Sequence, residues 1–77
     1  MECKKRIIID IKKLDESLKK IGSIALTARE EEIVERAKNY KEDSSYYLEK
    51  GDEITSFGCI TYAHGLLDAI ILNHDIG

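Results

Sequence analysis

The stretch from Lys50 to Leu72, KGDEITSFGCITYAHGLLDAIIL, limits what this chain can fold into more than any other. It reads as one helix, and successive side chains on a helix turn by about 100°. On that geometry Cys59, Ile60, Ala63, Leu66, Leu67 and Ile70 share one broad apolar side. Gly58, Tyr62, Gly65 and Ala69 line a second side of small residues around one ring. Between them runs a polar stripe of Thr61, His64 and Asp68, with Phe57 and Ile71 beside it. A helix apolar on so many sides is normally covered on most of them. In 77 residues there is room for one domain, 1–77, whose core contributes about 3–5 kcal/mol of net stability. The small-residue side therefore predicts close approach by another helix, most simply the same helix of a second copy across a two-fold axis.

The rest of the chain supplies two further helices. Ile7, Ile11, Leu14, Leu18 and Ile21 follow spacings of four and three, the narrow stripe of an amphipathic helix over residues 4–21. Asp15 with Lys19 and Glu16 with Lys20 are favourable i,i+4 pairs, and Gly22 is placed to end the helix in a left-handed turn. Thr27 and Glu30 have the spacing of a capping box, so a second helix is expected over 28–50. Its inner stripe is Ile33, Ala37, Tyr40, Ser44, Tyr47 and Leu48. Lys50-Gly51-Asp52 forms a tight corner, with Asp52 capping a third helix over 53–72 and Asn73 to Gly77 left as a frayed tail. Short connections between helices favour antiparallel neighbours. The expected fold is all-α, an up-and-down three-helix bundle assembled into a dimer.

The formal net charge of -3 is unevenly distributed. The first helix is basic and the remainder acidic, and Lys5, Arg6, Lys12, Lys13, Lys19 and Lys20 all project away from the apolar stripe. Such a face can follow a phosphate backbone. The sequence pI of about 5.3 and the interspersed acids weigh against it, so nucleic acid is not the expected partner. Neither Cys3 nor Cys59 has a second cysteine or a histidine at metal-binding spacing. No secretory cleavage site follows the first apolar run, and the run from Gly65 to Leu72 is far short of a membrane span. A cytoplasmic protein without membrane attachment is expected.

The segment Tyr40, Tyr47-Leu48, Lys50-Gly51-Asp52, followed by Phe57, Ile60 and Tyr62-Ala63-x-Gly65-Leu66-Leu67-Asp68-Ala69, resembles family 357 of the archaeal domains of unknown function. The resemblance covers the last half of the chain and extends to the first helix only in general character. It implies a short archaeal helical bundle and brings no established activity.

His64 and Asp68 lie four apart and so share a helix face, where they can hydrogen-bond or offer two ligands to a metal. Two ligands are too few for a tight site. With Thr61 they are the candidate ligand-binding residues, and a hydrogen-bonded packing pair is the favoured reading. Gly58, Tyr62, Gly65 and Ala69 are the candidates for self-association. No phosphate-binding loop, Ser/His/Asp arrangement or HExxH-type motif is present, so no catalytic residue, metal or cofactor is assigned. The sequence favours a non-catalytic interaction or self-association module, with a second copy (a homodimer) or another protein as its partner. The alternative is an accessory domain that binds a nucleotide or nucleic acid through the basic face of the first helix or the polar stripe of the third.

Overall fold

The computed structural model describes residues 3–75, which form an all-α bundle of three helices: α1 (Cys3–Ile21), α2 (Ala28–Glu49) and α3 (Glu53–Asn73). Each expected boundary lies within one residue of the observed one. Contacts between helices give their directions. Ser44 meets Ser56, Tyr40 meets Tyr62 and Glu30 meets His74, so α2 and α3 run antiparallel. Asp10 meets His64 near the middle of both helices, and the two connections then leave α1 parallel to α3. The order is up, down, up. Packing is densest between α2 and α3, less between α1 and α3, and slight between α1 and α2. α3 is therefore the helix on which the other two are mounted.

The reason lies in which residues are buried. From α1 come Ile7, Leu14 and Ile21, and from α3 come Ile60, Ala63, Leu67 and Ile70. The fully enclosed positions of α2 are small, Ala37 and Ser44, and Ser56 of α3 is equally enclosed. Small side chains let two helix axes approach closely. The hydroxyls that this brings inside are satisfied reciprocally: Ser44 Oγ donates to the Ser56 carbonyl at 2.9 Å and Ser56 Oγ to the Ser44 carbonyl at 2.6 Å. Among the described residues no buried side-chain polar atom lacks a partner. That matters because an unpaired buried hydroxyl costs about 1–3 kcal/mol.

Local chemistry sets the helix ends. Thr27 Oγ1 accepts from the Glu30 amide at 3.1 Å, and Glu30 Oε1 accepts from the Thr27 amide at 3.0 Å, completing the capping box. At the second corner Gly51 has φ +83°, a left-handed backbone that suits glycine. Asp52 Oδ1 accepts from the Thr55 amide at 3.1 Å. Hydrogen bonds from Thr55, side chain first and backbone second, hold the Asp52 carboxyl below the usual carboxylate range.

Three local expectations are corrected. Gly22 does not take the left-handed conformation; its amide donates to the Leu18 carbonyl at 3.0 Å as in a continuing helical turn. Asp15 pairs with Lys41 of α2 rather than with Lys19, tying together the two helices that otherwise barely meet. Residues 73–75 are not a frayed tail: α3 runs through Asn73 and His74 is held against α2, while residues 76–77 lie outside the described residues. α3 is also 21 residues long and, by length and composition alone, apolar enough to cross a membrane, a mark that a central bundle helix shares.

Candidate functional site

The side of α3 turned away from α1 and α2 is exposed along its whole length. Ile54, Gly58, Thr61, Gly65, Asp68 and Leu72 follow one another at spacings of four and three, with Tyr62 and Ala69 alongside. Ile54 is 87% exposed, Leu72 79% and Tyr62 49%. A Cβ built on Gly58 or Gly65 would meet nothing within 4 Å. The glycines therefore do not make room for α1 or α2; they leave a flat, shallow stretch between two bulky apolar ends. All four self-association candidates, Gly58, Tyr62, Gly65 and Ala69, lie on or beside this surface. Ile54 and Leu72 were missed by sequence reasoning, although their spacing continues the same seam.

Along the α1 edge of the surface lies a cleft of about 270 Å³. Thr61, His64 and Asp68 line it from α3, and Arg6, Asp10 and Lys13 line it from α1, with Phe57 at one end. The candidate polar stripe and two of the six basic-face candidates thus share one site. The remaining four, Lys5, Lys12, Lys19 and Lys20, are exposed elsewhere on α1. His64 does not bond to Asp68. Its Nε2–H donates to the backbone carbonyl of Asp10 at 2.7 Å, and this fixes α1 on α3. Arg6 Nε donates to both carboxylate oxygens of Asp10, at 3.3 and 3.4 Å. Arg6 and Lys13 thus share the cleft with the carboxyl groups of Asp10 and Asp68.

Other groups carry less. Among the described residues no cluster of three or more His, Cys, Asp or Glu side chains is placed to hold a metal. Burial pushes the Cys59 thiol up, and the charges of Asp43 and Asp52 push it further, which disfavours the reactive thiolate. An apolar hollow of about 370 Å³ lies between α1 and α2, walled by Leu18, Ile21, Ile24, Leu26 and Val34. It marks where α1 and α2 diverge, and Lys19, Glu31 and Lys38 also line it.

On the α2 edge, Arg29, Glu32 and Arg36 line a second hollow with Ile33, Tyr62 and Leu66. Tyr62 sets its ring edge-on to Tyr40, with centroids 4.7 Å apart, so it is half covered by its own chain. At the far end of the bundle Glu30 Oε2 accepts from His74 Nε2 at 2.7 Å and from Asn73 Nδ2 at 3.4 Å. The Thr27 backbone bond chiefly, with His74 and Asn73 behind it, holds the Glu30 carboxyl below the usual glutamate range against the opposing effect of burial. Nothing local in the sequence signals this contact, because it follows from the antiparallel pairing of α2 with α3.

Comparison with known proteins places the chain beside one family. The family described as "Protein of unknown function (DUF357)" matches residues 10–74, which takes in most of α1 and all of α2 and α3. No curated protein matches the chain.

Proposed function

The chain belongs to the DUF357 family, whose description names no activity, and on that premise we propose that it is a non-catalytic interaction module whose docking surface is the outward side of α3. The observation that carries this reading is the exposure of Ile54 and Leu72 at the two ends of this side, with the half-exposed Tyr62 between the open Gly58 and Gly65. Large exposed apolar side chains gathered on one side of a helix mark contact with another macromolecule. Small residues allow a facing helix to come near, and the bulky ends then give it something to pack on. Self-association is the simplest form, with a helix of another protein as the other.

Light scattering across a concentration series tests the reading. The native chain should associate at micromolar concentration, and Ile54→Lys with Leu72→Lys should abolish association without lowering the thermal midpoint. Equal association of the native and doubly substituted chains would remove α3 as the surface.

A second reading, binding of a nucleotide or nucleic acid, has one observation in its favour: Arg6 and Lys13 line the same cleft as Thr61, His64 and Asp68. Filter binding decides it, because phosphate contacts make retention fall steeply with salt. Absence of RNA or DNA retention at low salt sinks this alternative.

A further inference from the structure

Cations and exposed isoleucines share the outward side of α1. Lys5, Lys12 and Lys19 each stand two residues before a buried residue, Ile7, Leu14 and Ile21, and so point about 160° away from it. Arg6, Lys13 and Lys20 form a second row, one residue before the same three and about 100° from them. Ile9 sits between the rows, with Lys5 and Arg6 one turn before it and Lys12 and Lys13 one turn after. It is 46% exposed, and Ile8, 40% exposed, flanks the lysine row on its other side. α1 holds seven cations and three carboxylates. Asp10 is taken by Arg6 and Asp15 by Lys41 of α2, which leaves Glu16 among the lysines. Asp68 of α3 shares the cleft with Lys13, at the edge of this side. α2, mounted on α3 and barely touching α1, holds seven carboxylates and four cations. The molecule is thus polarised, cationic along α1 and anionic along α2.

We propose that this side of α1 docks on an anionic lipid surface. The helix lies along the surface, its two rows of cations reach the anionic headgroups, and Ile8 and Ile9 enter the boundary between headgroups and acyl chains. Charge complementarity selects the partner and the orientation together. α1 faces the anionic surface, and the carboxylates of α2 stay on the far side of α3. The isoleucines then decide between two kinds of polyanion. A nucleic-acid backbone meets such a face with phosphate and sugar, which leaves Ile9 without an apolar contact at the centre of its four cations. A bilayer offers anions and an apolar layer within the reach of one side chain. Lysine suits that boundary, because its stem lies along apolar surface while the ammonium stays with the headgroups. No helix has to span the bilayer, and α3 keeps its place in the bundle. The proposal departs from the expectation of a protein without membrane attachment, which rested on the lack of a spanning segment. It is also independent of what packs on the outward side of α3.

Vesicle sedimentation tests this with the full chain. The native chain should pellet with phosphatidylcholine vesicles that contain phosphatidylserine and not with phosphatidylcholine alone, and added salt should release it. Lys5→Gln with Lys12→Gln should weaken binding roughly thirtyfold, the effect of two lysines near an anionic surface. Both side chains are exposed, so the thermal midpoint should not change. The chain has no tryptophan, so Ile9→Trp reports on the contact by itself. Its emission should shift to the blue on phosphatidylserine vesicles, and that of Leu72→Trp, on the outward side of α3, should not. A shift in Leu72→Trp, or none in Ile9→Trp, overturns the proposed face. Equal binding to phosphatidylcholine alone, or no binding to phosphatidylserine vesicles at low salt, overturns the proposed partner. Retention of RNA by a chain that leaves the vesicles in suspension would assign the cations of α1 to nucleic acid instead.

Discussion

His74 and Glu30 are separated by 44 positions, yet Nε2 and Oε2 stand 2.7 Å apart. The same carboxylate closes the capping box of α2 through its other oxygen, so one side chain both starts a helix and holds the end of another.

This double role predicts acid sensitivity. Glu30 has a folded pKa below its ordinary value of 4.5, so its contribution to stability is complete above that value and is lost as pH falls through the folded pKa. The urea midpoint should therefore drop between pH 5 and pH 3. Glu30→Gln should lower the midpoint at pH 7 and flatten this dependence. Asp52 is shifted in the same direction, so a smaller acid dependence should persist until Asp52→Asn is added.

The reciprocal bond between Ser44 and Ser56 predicts a distinct pattern of coupling. Ser44→Ala removes a donor but leaves Ser56 bonded to the Ser44 backbone, so it should cost about 1 kcal/mol. Ser44→Val must force extra volume between two closely packed helices and should cost more, about 1–3 kcal/mol. Denaturant unfolding of both variants and of the Ser44→Ala, Ser56→Ala double variant checks this, with the double costing less than the sum of its singles.

His64 should behave as a fastener for α1. His64→Ala loses the bond to the Asp10 carbonyl and should destabilise the bundle by about 1–2 kcal/mol. Amide exchange should rise first in α1, since α1 has few other attachments to α2. Asp68→Ala should be nearly neutral in the monomer because its side chain is exposed. Calorimetry with zinc should give no saturable heat for the native chain, since His64 Nε2 is taken up by the Asp10 carbonyl and no third ligand joins the pair among the described residues.

Gly58→Ala and Gly65→Ala should separate stability from association. Each new methyl enters open space, and alanine favours a helix interior over glycine by about 1 kcal/mol, so each variant should be more stable. If a second helix packs on this side, each methyl stands in its path and association should weaken. Thermal melts and light scattering on the same samples read the two effects together.

Most of the backbone plan was legible in the chain itself. The stripes of α1 and α3, the Thr27–Glu30 box and the Gly51–Asp52 corner are local patterns, and local hydrogen bonding and steric preference act wherever they occur. The even apolarity of Lys50–Leu72 likewise marked α3 as the helix with the most neighbours. What the sequence could not state was which partners meet across helices. Asp15 had a lysine four residues away and took Lys41 instead; His64 had Asp68 on its own face and took the carbonyl of Asp10. The bond from His74 to Glu30 exists only because antiparallel packing brings the end of α3 to the start of α2. Helix formation depends on neighbours within about one turn, whereas the use of a polar side chain depends on which distant group arrives within about 3 Å. The sequence by itself determined three helices, their corners and the apolar character of α3; tertiary packing alone decided which side of α3 was left uncovered and which of its polar residues became fasteners.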